Sequence, residues 1–281
     1  MQELFEVGEN RMIKQIFLDM DGTLLDDKGV VTKDTVAAIK NSQIPVTLVS
    51  ARAPQEMTFA IHDLALQAPQ VAFNGGLIYQ MDEGDMHVLQ AYPIEAATSI
   101  KLIHWLAEMF PAVSLSYYTQ DSWLVDHASA EIDREVLFTG VVPRYAALSE
   151  AALQGQNGIF KIILIDLSET KLDMIQQAIL NLDLPVINVQ QSDASHLEIT
   201  SDIAEKAFGV SYIIAREQLS QAETAAFGDG QNDLSMFYKV GTSIAMGNAP
   251  MSVQQSANYV TKTNVANGVA YGIEHFLLHQ P

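Results

Sequence analysis

The chain has 281 residues, of which 48% are apolar, so it is long enough for one or two domains with a buried core. Lysine and arginine total 15 against 34 aspartates and glutamates, and the resulting charge of −19 argues against binding to nucleic acid or to anionic lipid. The chain contains no cysteine, which excludes disulfides, cysteine–zinc sites and thiolate nucleophiles.

The N-terminal segment 1–10 is acidic and lacks an apolar core, so we expect a flexible leader rather than a secretory signal. No apolar run approaches the roughly 20 residues that a membrane helix needs. We therefore expect a cytoplasmic protein without a nucleic-acid or membrane partner, and both a monomer and a homodimer remain open.

Short apolar runs that end in polar turns alternate with helical patterns at the start of the chain. The predicted strands are Ile13–Leu18, Ile44–Val49 and Gln70–Phe73, and the predicted helices between them run from about Thr32 to Lys40 and from Pro54 to Leu66. Strands that alternate with helices are typical of a parallel sheet with crossover helices. The sequence therefore predicts an α/β fold.

The pattern changes near residue 80, where strand pairs lie beside helical stretches. Leu77–Tyr79 and His87–Ala91 predict a hairpin around an acidic turn. Further strand pairs predict an α+β domain inserted at residues 88–195, after which the parallel pattern resumes with the strand Thr224–Phe227. We therefore expect a core domain made of residues 11–87 and 196–281.

Polar residues follow each of the first three predicted strands. They are Asp19 and Asp21 after the first strand, Ser50 and Arg52 after the second, and Asn74 and Gly75 after the third. Ligands of open α/β sheets bind at the carboxyl ends of the strands. We therefore expect these residues to lie along one edge of the sheet.

A second acidic cluster follows the strand Thr224–Phe227 and contains Asp229 and Asp233. So many carboxylates at one edge would repel one another unless a cation lies among them. An acidic protein that handles an anionic substrate also needs local positive charge. Oxygen ligands without cysteine favour Mg²⁺, which is the cofactor that we predict.

Other motif interpretations fail on spacing. A calcium loop of the EF-hand type needs a glutamate at its twelfth position, where counting from Asp19 gives Val30 and counting from Asp229 gives Val240. The glycines around Asp229 lack the third glycine of a dinucleotide-binding fingerprint, and no P-loop is present in the sequence.

Phosphoryl transfer suits the predicted edge of the sheet. It needs a nucleophile in line with the leaving group and positive charge around the phosphoryl oxygens. Asp19 could be the nucleophile, and Asp21 could protonate the leaving alcohol and later activate water. Lys206 would supply a fixed cation and Ser50 a hydrogen bond to the phosphoryl oxygens.

The motif Asp19-Met-Asp21-Gly-Thr23-Leu-Leu resembles the first motif of the haloacid dehalogenase superfamily. Ser50, Lys206 and the segment from Gly228 to Asp233 resemble its second, third and fourth motifs. The long insert resembles the large α/β cap (type IIB) of the Cof-type sugar-phosphate phosphatases. The resemblance implies a Rossmann-like, three-layer core with a parallel sheet and an inserted cap. It also implies Mg²⁺-dependent hydrolysis of small phosphorylated metabolites, often sugar phosphates and sometimes pyridoxal phosphate or flavin mononucleotide.

The resemblance also implies roles for individual residues. Mg²⁺ would take the Asp19 carboxylate, the Asp21 backbone carbonyl and the Asp229 carboxylate, with Asp233 as a nearby ligand or an anchor. Asn232 would lie beside the phosphate and Lys206. Two positions depart from the family pattern: Ser50-Ala51-Arg52 replaces the usual Thr-Gly-Arg, and Ala207 follows Lys206 where glycine is usual.

Two further functions remain open. A phosphosugar mutase or transferase would use the same residues, because Asp21 can serve both a leaving group and an acceptor. A phospho-receiver would instead store a signalling phosphate on Asp19. The presence of Asp21 argues against the receiver, because an acid/base beside the phosphoryl group would speed its removal.

Overall fold

The computed structural model describes residues 12–147, 158–166, 168–182, 184, 186–193 and 195–278. The predicted leader, residues 1–10, lies outside this part of the chain. The described chain divides into two compact units. The first contains the residues up to Ser50, Ala60–Pro69 and those from Val210 onward, and the second contains Ala51–Phe59 and Gln70–Gly209. The boundaries predicted at residues 88 and 195 stay a prediction.

The described strands form one parallel and two largely antiparallel sheets. In chain order they are β1 Gln15–Leu18, β2 Val46–Leu48, β3 Gln70–Ala72, β4 Leu77–Asp82, β5 Asp85–Ala91, β6 Ser114–Tyr118, β7 Trp123–Val125, β8 Arg144–Tyr145, β9 Lys161–Ile165, β10 Ile187–Asp193, β11 His196–Ser201, β12 Thr224–Gly228, β13 Thr242–Ala245 and β14 Tyr259–Val260.

The described helices join and cover these strands. They are α1 Lys33–Ser42, α2 Pro54–Leu64, α3 Ala96–Met109, α4 Ala130–Thr139, α5 Glu169–Leu180, α6 Lys206–Arg216, α7 Leu234–Phe237, α8 Met251–Gln254 and α9 Gly268–Gly272. Thr32 begins α1 as expected, because its hydroxyl accepts a hydrogen bond from the backbone N–H of Thr35. None of these helices is long and apolar enough to cross a bilayer.

The first unit is built on a parallel sheet with the strand order β14-β13-β12-β1-β2. All residues of β1, β2, β12 and β13 are buried, which explains why these segments are apolar runs rather than alternating patterns. β1 lies between β12 and β2, with Leu18 in register with Phe227 on one side and Leu48 on the other. The α/β prediction is therefore confirmed, and the carboxyl ends of these three strands lie at one edge.

The prediction that the third strand, Gln70–Phe73, belongs to the parallel sheet is wrong. β3 pairs antiparallel with β4, and β4 pairs antiparallel with β5 to complete a three-stranded sheet in the second unit. Three successive residues with positive φ, Phe73, Asn74 and Gly75, reverse the chain so that Leu77 returns beside Ala72. Asn74 and Gly75 consequently follow an antiparallel strand. The predicted hairpin of β4 and β5 is confirmed.

The second unit also contains a sheet of six strands in the order β10-β11-β9-β6-β7-β8, in which only the β7–β8 pair is parallel. One face packs against α3 and α5 to form an apolar core. Its fully buried members include Leu102, Leu106, Leu115, Ile162, Leu164, Leu172, Ile175, Leu197 and Ile199. Alternate residues of three strands point into this core, and they are Leu115 and Tyr117 of β6, Ile162 and Leu164 of β9, and Leu197 and Ile199 of β11.

The opposite face of the six-stranded sheet is polar and nevertheless buried. Ser116 and Glu198 are both in register with Ile163, and Tyr118 and Thr200 are both in register with Lys161. We call this surface, formed by Ser116, Tyr118, Lys161, Glu198 and Thr200, the polar face. Each of its five residues is at most 6% exposed. Lys161 contacts Tyr118 and Glu198 on this face, whereas Ser116 Oγ and Glu198 Oε2 have no hydrogen-bond partner among the described residues, so the face is only partly compensated.

Candidate active site

The carboxyl ends of β1, β2 and β12 lie at one edge of the parallel sheet in the first unit. Asp19 follows β1, and its backbone N–H donates to the Phe227 carbonyl of β12 at 3.1 Å. On the other side, the Val49 N–H donates to the Leu18 carbonyl at 2.8 Å. Ser50, which is buried, is the next residue after Val49. The parallel register therefore places the predicted nucleophile between the ends of two neighbouring strands.

Three carboxylates meet at this edge. Asp19, Asp229 and Asp233 each offer an oxygen, and these oxygens all lie within 4.8 Å of one another. Asp19 is 6% exposed and Asp233 is 1% exposed, so their charges are largely removed from water. Three such carboxylates repel one another at this range unless a cation or protons offset their charge. A set of hard oxygen donors fits Mg²⁺.

The turn after Asp19 is built to approach Asp229. Gly22 has φ +75°, and a Cβ atom at this position would lie 2.3 Å from Asp229 Oδ2. Only glycine combines this backbone conformation with so close an approach. The next residue, Thr23, donates its hydroxyl to Asp229 Oδ1 at 3.0 Å. The first and fourth motifs are therefore fitted to each other within the first unit.

Asp233 anchors the loop that carries Asp229. Its Oδ2 accepts hydrogen bonds from the backbone N–H groups of Asp229 and Gly230, both at 2.9 Å. These two charge-assisted bonds hold the turn after β12 in place. Asp233 thus acts as a structural anchor while one of its oxygens remains close to those of Asp19 and Asp229.

Asn248 is a site residue that the sequence reasoning missed. Its Nδ2 donates to the Gly22 carbonyl at 2.8 Å and lies 3.5 Å from Asp229 Oδ2, while its Oδ1 accepts the Asn264 N–H at 3.0 Å. Asn248 follows β13 by three residues, so the strand-end rule that found Asp229 could also have found it. Its side-chain amide group therefore links the turn after Asp19, through Gly22, to Asp229.

Asp21 and Asn232 are exposed. Asp21 lies two residues after the nucleophile position, and among the described residues its carboxylate is not part of the acidic cluster. The side chain of Asp21 is therefore accessible to a ligand. Asn232 immediately precedes the anchor Asp233.

The other four predicted residues belong to the second unit. Arg52 is 8% exposed, and its Nη1 donates to the Glu56 carbonyl at 3.3 Å. Asn74 is 5% exposed and Lys206, the first residue of α6, is 1% exposed.

Gly75 approaches the residue before Lys206. A Cβ atom at Gly75 would lie 2.4 Å from the Glu205 carbonyl oxygen, and φ at Gly75 is +104°. The turn after β3 and the start of α6 therefore come together within the second unit, where they carry Asn74 and Lys206.

Glu56 and Tyr118 of the second unit have shifted acidities. Burial raises the pKa of the Glu56 carboxyl, while the charge of Lys161 and the Ala53 N–H oppose that rise. Burial also raises the pKa of Tyr118 well above its ordinary value, and the nearby carboxylates of Glu56, Glu135 and Glu198 raise it further. Tyr118 is therefore a neutral hydroxyl, whereas Glu56 takes up a proton more readily than an exposed glutamate.

Comparison with known proteins assigns the chain to a group of hydrolases. The model of the haloacid dehalogenase-like hydrolases matches residues 16–273. A putative phosphatase of Haemophilus influenzae is 30% identical over 94% of this chain and 98% of its own length. The crystal structure of TM0651 from Thermotoga maritima superimposes with a TM-score of 0.84, with 25% identity over 94% of this chain and 98% of that one.

The names of two further relatives state their substrates. The 5-amino-6-(5-phospho-D-ribitylamino)uracil phosphatase YwtE of Bacillus subtilis is 27% identical over 95% of this chain and 99% of its own length. The pyridoxal phosphate phosphatase YbhA of Escherichia coli is 26% identical over 94% and 98%. Relatives that match along the same length therefore act on chemically different phosphate esters.

Proposed function

Since this chain belongs to the haloacid dehalogenase-like hydrolase family, of the Cof type, and is a phosphatase, we propose that it hydrolyses small phosphorylated metabolites, sugar phosphates above all, with Mg²⁺ as cofactor. The observation that supports the metal is the meeting of the Asp19, Asp229 and Asp233 carboxylates. A cytoplasmic location is part of the same proposal.

The metal ligands that we propose are the carboxylates of Asp19 and Asp229 and the backbone carbonyl of Asp21, with Asp233 as a nearby ligand or anchor. When bound, Mg²⁺ would offset the negative charge of these groups and of the phosphoryl oxygens, so that an anionic nucleophile can approach an anionic ester. The all-oxygen donor set and its burial support this choice.

In the first half of the proposed reaction, the Asp19 carboxylate attacks phosphorus. A new bond forms between the carboxylate oxygen and phosphorus, while the bond from phosphorus to the ester oxygen breaks. Asp21 gives its proton to the departing alkoxide, so the alcohol leaves as a neutral molecule. The exposure of Asp21 supports this role, because a group that serves a leaving alcohol must be reachable.

In the second half, Asp21 takes a proton from a water molecule whose oxygen attacks the phosphorus of the aspartyl-phosphate. The bond to Asp19 breaks and inorganic phosphate is released, which restores both carboxyl groups to their starting states. We propose that Ser50, Lys206 and Asn232 bind the phosphoryl oxygens, and that Arg52, Asn74 and Gly75 contribute to substrate binding.

The preference for a sugar phosphate draws support from a relative. The substrate named for the Bacillus subtilis relative carries its phosphate on a ribityl chain, which is a hydroxyl-rich alcohol. The substrate named for the Escherichia coli relative, pyridoxal phosphate, is instead an ester of a hydroxymethyl group on a pyridine ring. A panel of sugar, sugar-alcohol, pyridoxal and flavin phosphates, ranked by kcat/KM, separates these two classes.

Hydrolysis of p-nitrophenyl phosphate tests the proposed chemistry. We expect activity with Mg²⁺, loss of activity with EDTA, and a fall of ~10³-fold or more in Asp19→Asn, because the nucleophile is removed. Asp63→Asn is the matched control, since Asp63 is an exposed aspartate of α2 whose change should leave activity intact. Turnover without metal, or full activity in Asp19→Asn, would contradict the proposal.

Analysis of the products distinguishes hydrolysis from its two rivals. Hydrolysis releases inorganic phosphate, whereas a mutase or transferase yields an isomeric or second sugar phosphate. A phosphorylated protein that persists for hours would favour a receiver. We expect inorganic phosphate in a one-to-one ratio with the alcohol.

A further inference from the structure

Lys161 places a positive charge inside the second unit, on the polar face. It is 4% exposed, and its Nζ donates to the backbone carbonyl of Ala51 at 3.0 Å. The same ammonium lies 4.9 Å from the ring centre of Tyr118 and 3.9 Å from Glu198 Oε1. A buried ammonium is costly unless its contacts offset the lost hydration, so these contacts hold the side chain in one position.

The contact with Ala51 is one of three hydrogen bonds to the backbone of the consecutive residues 51–53. Lys161 binds the Ala51 carbonyl, the Phe73 N–H donates to the Arg52 carbonyl at 3.0 Å, and Glu56 Oε2 accepts the Ala53 N–H at 2.7 Å. The second of these bonds comes from backbone and the third from a residue close in sequence. Lys161, by contrast, reaches this segment from a strand more than a hundred residues away.

We propose that Lys161 is a positioning residue for the segment of residues 50–53, which follows β2. It fixes the Ala51 carbonyl, and with it the backbone from which Ser50 and Arg52 project. The inference rests on the proposed function, which assigns those two residues to the phosphoryl group and to substrate. It adds a residue that lies outside the sequence motifs, because Lys161 follows no strand end and belongs to the six-stranded sheet.

A purely structural role is the competing explanation. Lys161 lies among carboxylates. Glu198 of β11 lies 3.9 Å from its Nζ, and the charge of Lys161 lowers the pKa of Glu56. Glu198 Oε2 has no hydrogen-bond partner among the described residues, so Glu198 depends on Lys161 for compensation. Loss of the lysine could therefore destabilise the unit through an uncompensated carboxylate alone. The two explanations differ in what happens when both charges are removed.

Lys161→Met removes the ammonium while keeping an unbranched apolar side chain. We expect the KM for p-nitrophenyl phosphate and the inhibition constant of inorganic phosphate to rise about tenfold, with a smaller change in kcat. Hydrogen–deuterium exchange should become faster in the backbone around residues 50–56. Lys171→Met is the control, because Lys171 is a partly exposed lysine of the same unit that pairs with Asp166, and we expect no change in either constant.

The double variant Lys161→Met/Glu198→Gln separates positioning from charge compensation. Positioning predicts that the double variant recovers thermal stability but keeps the raised KM, the weaker phosphate inhibition and the faster exchange. Recovery of all four quantities together would overturn the inference, because charge compensation would then explain the single variant. Unchanged exchange around residues 50–56 in Lys161→Met would also overturn it.

The outcomes also separate this inference from the proposed function. An inactive wild-type protein would contradict the function, and the exchange measurement would still decide whether Lys161 orders the segment of residues 50–53. An active wild-type protein with an unaltered segment in Lys161→Met would leave the function standing and remove the role of Lys161.

Discussion

The parallel sheet of the first unit and the six-stranded sheet of the second carry their polar chemistry in different places. The parallel strands are buried along their whole length, and the acidic residues follow at their carboxyl ends. The six-stranded sheet instead carries charged residues within its strands, on a buried face. Functional residues that follow strand ends form recognisable motifs in the sequence. Charged residues within a strand look like those of any ordinary strand, so the sequence does not mark them.

This difference explains why the polar face was not predicted. Alternating apolar and polar residues are typical of a strand with one face in a core and the other in water. Glu198 of β11 fits that pattern and Lys161 begins the otherwise apolar strand β9, yet the two residues are 6% and 4% exposed. Sequence alternation identifies the apolar face, but it does not tell whether the opposite face meets solvent or protein.

Asn248 offers the larger of two tests of this comparison. In Asn248→Ala, we expect kcat/KM to fall about 10- to 100-fold, because the lost amide holds Gly22 and Asp229 and hydrogen bonds to charged groups contribute about 1.5–3 kcal/mol. Steady-state kinetics with p-nitrophenyl phosphate measure the effect. Full activity in Asn248→Ala would contradict the comparison, because a residue at a strand end would then not contribute to the site.

Asn258→Ala is the matched control for Asn248. Asn258 also lies in the first unit, but its Oδ1 accepts hydrogen bonds from the Ser243 N–H and hydroxyl, away from the acidic cluster. We expect this variant to lose thermal stability while keeping kcat/KM. An equal loss of activity in both variants would indicate a general structural effect.

Glu56 provides the smaller test, on the buried side chains of the second unit. Its folded pKa is raised above the ordinary value of 4.5, so between pH 4.5 and the folded pKa the folded state holds a proton that the unfolded state has released. The wild-type protein should therefore lose stability as the pH rises from about 4.5 through the folded pKa. Glu56→Gln has no carboxyl at this position and lacks this loss. The difference in melting temperature, variant minus wild type, should therefore increase as the pH rises through that interval, which thermal unfolding at a series of pH values measures.

Glu95→Gln is a control with the opposite sign. Glu95 begins α3 and accepts the N–H groups of Ala97 and Thr98, which lower its pKa. Its contribution to stability is present above pH 4.5 and disappears as the pH falls through the lowered pKa. The same direction of pH dependence in both variants would contradict the assignment for Glu56.

The sequence allowed the parallel sheet and much of the acidic site to be predicted, because apolar runs that end in Asp19 and Asp229 carry a local signal. It did not allow the partner of β3 to be predicted. An apolar run of that length suits either sheet, and the decision came from three residues with positive φ. The helix α4 was also missed, although Ser129 accepts the Ile132 N–H at its start.

The side chains of the second unit were the least predictable. Arg52 and Asn74 were found because they follow predicted strands, and Lys206 was found as the cation that phosphoryl transfer needs, but none of these signals indicated which side chains they contact. Lys161 was not found at all, because its contact with Ala51 joins residues 110 positions apart. A single sequence carries no signal for such a pairing.

Titration with Mn²⁺, followed by the electron paramagnetic resonance signal of the free ion, tests most directly whether Asp19, Asp229 and Asp233 hold one divalent cation. We predict one Mn²⁺ per wild-type chain, displaced by Mg²⁺, and binding weakened about 10-fold or more in Asp229→Asn, because a charged oxygen ligand is lost. Unaltered Mn²⁺ affinity and stoichiometry in Asp229→Asn would contradict the account.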